Sequence, residues 1–194
     1  NIDFNWYNTQ PEIKNINDIF GTITFFKDST QIHLNRSQKK ILDELWTLQD
    51  NNLVTIRDKE IKVENLNISS DNQMITAQGV ISRDEDEVLA ITVNSFDLSL
   101  LNPLVPEKLS GNVSGEFALN NLYATPTVVS NFYIGNLYID KFLVGDIFSS
   151  NDWNNERNLF DIQFLVNRNG TPIILVNGVF NPLDKKNALD LDAL

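Results

Sequence analysis

FDLSLLNPLVPEKLSGNVSGEFALNNLYATP, running from Phe96 to Pro126, decides how this chain folds. In its second half Val113, Gly115, Phe117 and Leu119 fall on one side of an extended backbone, while Asn112, Ser114, Glu116 and Asn120 fall on the other. That period of two marks a strand with one buried face. In its first half Asp97 stands as an N-cap before an apolar stripe of Leu98, Leu101, Leu104 and Val105, and Pro103 and Pro106 hold the helix to about one or two turns. So short a helix has no stability of its own, and it is expected to dock on the sheet and cover an open end of the core.

Outward from this stretch the same alternation recurs. Ile2 to Trp6, Phe20 to Phe26, Gln31 to Leu34, Asn52 to Ile56, Glu60 to Ile68, Gln73 to Ser82 and Val88 to Asn94 precede it. Thr127 to Ile134, Leu137 to Val144, Asp146 to Asn151, Leu159 to Arg168 and Pro172 to Asn181 follow. Short runs separated by turn residues predict an all-β chain whose strands meander. Asn169-Gly170 predicts a two-residue hairpin, with Arg168 opposite Thr171, Val166 opposite Ile173, Phe164 opposite Leu175 and Phe160 opposite Val179. A second helix is indicated over Ser37 to Trp46, where Ile41, Leu42, Leu45 and Trp46 share a helical face behind a Ser37 cap.

Composition narrows the function classes. A formal net charge of −11 works against nucleic-acid binding, which depends on Lys and Arg neutralising phosphates. The run Asp84, Glu85, Asp86, Glu87 lies between two alternating segments and reads as a solvated hairpin loop rather than a cation site. The chain has no cysteine, which excludes disulfides, zinc thiolates and a cysteine nucleophile. No apolar run reaches the roughly 18 residues that a membrane-spanning helix needs. The alternation begun in NALDLDAL, residues 187–194, is cut short, which suggests a piece of a longer protein.

Catalytic chemistry finds little support. His33, the only histidine, sits between Ile32 and Leu34 in a predicted strand, and no Gly-x-Ser-x-Gly elbow accompanies it. Asp140, Asp146, Glu156 and Asp161 are candidates for paired carboxylates by number alone. Trp153, within SSNDWNNERN, reads as an aromatic at a loop tip. No catalytic residue, metal ligand or cofactor is assigned, and the chain is not expected to be an enzyme.

The order of motifs over about a hundred residues carries a resemblance. Phe96-x-Leu98 leads into a short helix with Asn102-Pro103, then Leu109-x-Gly111-x-x-x-Gly115, an apolar strand, Pro126, and an Ile/Leu-rich hairpin ending in Gly145-Asp146. Upstream, Trp46-Thr-Leu48, Asn52 to Ile56, Glu64-Asn-Leu-x-Ile68 and Gln73 to Gly79 complete it. The chain thereby resembles the TamB family, the translocation and assembly module subunits within the AsmA-like proteins of diderm bacteria, in a Bacteroidetes-like style. The resemblance implies an elongated, rolled or taco-shaped, antiparallel-rich sheet enclosing an apolar groove. It further implies a periplasmic location, an inner-membrane anchor elsewhere in the full-length protein, and an outer-membrane barrel partner of the Omp85 type. Phospholipid acyl chains would be the cargo, in lipid transport or outer-membrane protein assembly, and no catalytic residues are implied.

On this reading residues 1–95 form a first β segment and 96–194 a second, beginning with the short helix, within one continuous β body. The groove-lining residues are Leu89, Ile91, Val93, Val113, Phe117, Leu119, Phe160, Ile162 and Phe164. Strands left free at the two ends, Ile2 to Trp6 and residues 187–194, are expected to associate edge to edge with another copy. The competing expectation is an extracellular β-sandwich module that binds carbohydrate or protein through loops such as Ser149 to Asn158.

Overall fold

A computed structural model describes residues 1–6, 17–41, 44–84, 86–121, 123, 127–154, 156–182, 184 and 188–193. Leu42, Glu85, Pro126, Asn187 and Leu194, which entered the reading above, lie outside them. The strands are β1 (Ile2–Trp6), β2 (Asn17–Phe25), β3 (Thr30–Leu34), β4 (Ser37–Ile41) and β5 (Glu44–Leu48). Next come β6 (Leu53–Arg57), β7 (Glu60–Ser70), β8 (Gln73–Ile81), β9 (Val88–Asp97) and β10 (Leu109–Asn120). β11 (Thr127–Ile139), β12 (Phe142–Asn154), β13 (Leu159–Arg168), β14 (Thr171–Phe180) and β15 (Leu189–Ala193) complete the set. The one helical element among the described residues is a 3-10 turn, Leu98–Leu101. The chain is all-β, and its strands make one open antiparallel sheet of 15 strands.

The pairing is a meander. β2 pairs β3 through Gly21 to Phe25 and β4 through Asn17 and Asp18. β3 then pairs β6, and β4 pairs β5. β7 receives β6 along Glu60 to Glu64 and β5 at Ile68 and Ser69. β3 with β4, and β5 with β6, therefore each act as one long strand broken by a kink, and every rung lies beside its neighbour in sequence.

The kinks leave backbone groups off the ladder, and buried polar side chains take their place. The Asn52 carboxamide, 1% exposed, accepts from the Leu34 N–H at 3.0 Å and donates to the Leu34 carbonyl at 2.7 Å and the Gln49 carbonyl at 2.5 Å. Ser37 Oγ accepts from the Phe20 N–H at 3.0 Å and donates to the Asn35 carbonyl at 2.8 Å. Buried peptide groups must be paired somewhere, and here two side chains do what a ladder residue does elsewhere. The helix expected over Ser37 to Trp46 is accordingly absent. Ser37–Ile41 make β4 and Glu44–Leu48 make β5, with Leu45 exposed and Trp46 buried in the period of a strand.

A six-residue pattern recurs at strand interruptions: VENLNI (63–68) in β7, VNSFDL (93–98) at the end of β9, and IGNLYI (134–139) in β11. Its third residue has a left-handed backbone in each copy, at φ 52° for Asn65, 52° for Ser95 and 51° for Asn136. The extra residue forms a bulge, seen as a register shift between Val63 and Leu66 and between Ile134 and Leu137. It returns the apolar residues on both sides of the break to the same face. The strand that follows each copy carries a glycine at φ 125°, 128° or 120°, namely Gly79, Gly111 and Gly145. A Cβ on Gly79 would collide with the Val88 carbonyl of the next strand, and one on Gly145 with that of Asn167. With Gly178 these glycines recur roughly every 33 residues, one in each second strand.

These bulges alter the expected strand ends. Thr127 to Ile134, Leu137 to Val144 and Asp146 to Asn151 are not three strands but two long ones, β11 and β12, joined by a turn at Asp140-Lys141. Breaks in alternation at Asn136 and Gly145 look like turns in sequence yet lie inside strands.

The chain divides into two compact units, Asn1–Asn94 with Leu119–Pro126, and Ser95–Ala118 with Thr127–Leu194. In the first unit one face carries an aliphatic row. Leu89, Ile91 and Val93 lie beside Gly79, Ala77 and Ile75, and these beside Val63, Leu66 and Ile68. From Val63 the row continues through Val54, Ile32 and Ile23 to Ile2. The reverse face is more polar, with Lys62, Thr55, Gln31 and Thr24 in register beside Val80 and Leu53.

Candidate functional site: an apolar sheet face

In the second unit the ladder gathers the large apolar residues on one side. Phe160, Ile162, Phe164 and Val166 of β13 lie opposite Trp153, Asn151, Ser149 and Ile147 of β12. Ser149 and Ile147 in turn lie opposite Phe132 and Ile134 of β11. Phe117 of β10 stacks on Phe132 with ring centroids 6.0 Å apart, and Val113 packs against the buried cluster of Leu98, Leu137, Ile147 and Val166. Val113, Phe117, Phe160, Ile162 and Phe164 thus share one face. Leu89, Ile91 and Val93 lie on the apolar face of the first unit. Leu119 follows Phe117 by two residues on β10, is half-buried, and belongs to the first unit.

The hairpin at Asn169-Gly170 departs from the expected register. Arg168 opposite Thr171 is as predicted and Asn167 lies opposite Pro172, but a bulge then shifts the ladder so that Val166 meets Ile174, Phe164 meets Val176 and Phe160 meets Phe180. One extra residue, Ile173, turns the rest of β14 over. Ile174, Val176 and Phe180 therefore join the apolar face, and Phe180 stacks on Phe160 at 6.0 Å. Ile173, Leu175 and Val179 go to the other side. β15 extends the apolar face through Leu189 and Leu191, which pair with Phe180 and Gly178.

The short helix docks in 3-10 form through Leu98–Leu101, whereas Leu104, expected in the same apolar stripe, lies beyond it and is 81% exposed. Asp97 caps it by accepting from the Ser99 N–H at 2.8 Å. Asn102 receives the Leu109 N–H at 2.7 Å and donates to its carbonyl at 3.2 Å, standing in for a ladder partner where β10 begins. Leu98 and Leu101 then cover Leu137, Ile147 and Val166. Away from this cap the face opens: Ile174 is 41% exposed and Leu189 59%. Ser130 and Asn151 place a polar pair within the face, hydrogen-bonded to each other, with Asn151 also donating to the Val128 carbonyl at 2.6 Å. Strand alternation alone did not reveal that polar pair.

Trp153 corrects another expectation. It is not at a loop tip but inside β12, half-buried and edge-on to Phe160 at 4.8 Å. The β-sandwich alternative relied on that loop and on two facing sheets, whereas the strands belong to one sheet.

Of the polar groups considered for chemistry, His33, Asp140 and Asp146 hold the backbone and Asp161 holds neighbouring side chains. His33 Nε2 lies 2.6 Å from the Asp50 carbonyl. Asp140 accepts the Lys108 N–H at 3.1 Å, and Asp146 accepts the Asn136 N–H at 2.8 Å, steadying that bulge. Glu156 is exposed. Asp161 is bonded to Arg157 and Asn154, and the hydrogen bond from the guanidinium is the main reason its carboxyl titrates below the usual range. Desolvation, with the neighbouring Asp146 carboxylate, raises the Tyr133 phenol. Among the described residues no three or more His, Asp or Glu gather to hold a metal ion.

On the reverse face Tyr133, Phe148, Leu165 and Leu175 form one apolar stripe amid Asn131, Ser150, Gln163 and Asn177. The second unit therefore has one broadly apolar face and one mainly polar face. Compared with protein-family models, with curated proteins and with solved structures, the chain finds no match.

Proposed function

We propose that this chain is a periplasmic β segment of a TamB-type, AsmA-like protein, anchored in the inner membrane through another part of the full-length chain. Its apolar sheet face carries phospholipid acyl chains between the membranes, in support of lipid transport and outer-membrane protein assembly with a barrel of the Omp85 type. The observation that carries this reading is the sorting of Val113, Phe117, Phe160, Ile162 and Phe164 onto one face that remains partly open toward Ile174 and Leu189. Extended apolar surface of this kind marks an interaction site, and each acyl methylene buried on it contributes roughly 0.8 kcal/mol. The role is one of binding and guiding rather than catalysis.

The two faces allow a direct test. A photo-crosslinking amino acid at Ile162 or Phe164 should capture phospholipid in a diderm host, whereas the same group at Gln163, on the reverse face, should not. Equal labelling from both faces, or none from either, would refute the groove.

A further inference from the structure

We propose that Arg168 anchors the phosphate of a phospholipid whose acyl chains lie along the apolar face of the second unit; this deepens the groove reading and rests on it. Val166, 1% exposed, is the last core residue of β13, and Arg168 follows it by two positions on the same side. The guanidinium is held at two points. Nε donates to the Val144 carbonyl at 3.2 Å, and Cζ lies 4.8 Å over the ring of Phe142, which is itself 61% exposed. A guanidinium fixed through Nε and one planar face keeps its outer N–H edge for a bidentate oxyanion such as a phosphodiester. Among the described residues no carboxylate pairs with it.

The surroundings suit an anionic head and an apolar tail. Lys141 precedes Phe142 in the β11–β12 turn, and Lys108 is tied to that turn by the Asp140 N–H donating to its carbonyl at 2.6 Å. Arg168, Lys108 and Lys141 therefore gather at one end of the sheet, where they outnumber the Glu107 and Asp140 carboxylates, in a chain with 26 acidic and 15 basic residues. From Arg168 the face runs through Phe164 and Ile162 to Phe160, about 27 Å at strand rise. That exceeds the roughly 15 Å of one bilayer leaflet, half the hydrocarbon thickness, so the row is long enough to lay out acyl chains.

The test compares two lipids with the same chains. Wild-type protein and the R168Q and R168K variants are titrated with dioleoyl phosphatidylglycerol and with neutral dioleoylglycerol, read by native mass spectrometry. R168Q should bind the phospholipid about tenfold or more weakly, as expected for loss of a charge-assisted contact, and bind dioleoylglycerol like wild type. R168K, which keeps the charge and loses the fork, should fall between. Unchanged dioleoylglycerol binding also shows that the variants are folded. Equal phospholipid affinity in all three proteins would overturn the assignment while leaving the groove intact. Failure of wild type to bind either lipid would remove the groove itself. Inorganic phosphate binding wild type as tightly as the phospholipid does would reassign the site to a free oxyanion and overturn the lipid assignment.

Discussion

Replacing Asn52 by Ala tests whether one side chain holds the kinked rungs of the first unit together. The substitution removes three hydrogen bonds, to the Leu34 N–H, the Leu34 carbonyl and the Gln49 carbonyl, at a residue 1% exposed. A hydrogen bond contributes about 1 kcal/mol net, and a buried group left unsatisfied costs about 1–3 kcal/mol. Three groups at the low end of that range amount to about 3 kcal/mol, and water entering the vacated space would reduce it to about 2 kcal/mol. Since domains are stable by about 5–15 kcal/mol, this is a large fraction. Urea unfolding should show the midpoint falling with an unchanged m-value, and amide exchange at Leu34 should accelerate. Asn52→Asp gives a second reading. A carboxylate accepts from the Leu34 N–H but repels the two carbonyls, so its folded-state pKa is raised. The deficit should therefore be smallest below the unfolded aspartate pKa of about 3.9 and grow as pH rises through the folded value. A loss under about 1 kcal/mol in Asn52→Ala, with Leu34 still protected, would refute the claim that this side chain replaces ladder bonds.

The other predictions test the bulges, an exposed ion pair and the sheet ends. Gly145→Ala, at φ 120° with the Asn167 carbonyl in the way, should destabilise clearly more in urea than Gly170→Ala, at φ 76° with nothing within 4 Å; equal losses would show that the close strand approach is not limiting. Because the Asp161 pKa is lowered in the folded state, its contribution should be present above about pH 3.9 and fade as pH falls through the folded value. Asp161→Asn should flatten that acid limb in a melting-temperature profile, and an unchanged limb would contradict the pairing with Arg157. β15 pairs only β14 and β1 only β2 among the described residues, so edge-to-edge association should appear in light scattering at high concentration. Asp190→Asn with Asp192→Asn should strengthen it by removing charge from an edge strand; strictly monomeric behaviour of both proteins would refute it.

Much of the fold and part of the candidate face were legible from local pattern. The alternation of Val113, Gly115, Phe117 and Leu119, the Asp97 cap, the prolines that end its turn, and the Asn169-Gly170 hairpin depend on residues within a few positions of one another. Their chemistry acts locally, so sequence alone determines an all-β chain with apolar strand faces. Ladder continuity is a different matter, because it depends on the backbone of a partner strand. β14 is apolar on both faces through Ile173, Ile174, Leu175 and Val176, so no hydrophobic pattern tells which of them joins Phe164 and Val166. The bulge at Ile173 makes that choice. Ile41, Leu42, Leu45 and Trp46 fit a helical stripe equally well, and only pairing in the kinked rungs, with Asn52 and Ser37 replacing lost backbone bonds, makes β4 and β5 strands. The glycines and the VENLNI, VNSFDL and IGNLYI copies were visible as letters, but their meaning required neighbouring strands, because the bulge and its facing glycine come from different segments. Tertiary structure likewise set Arg168 over Phe142, since that stacking needs two strands joined in register.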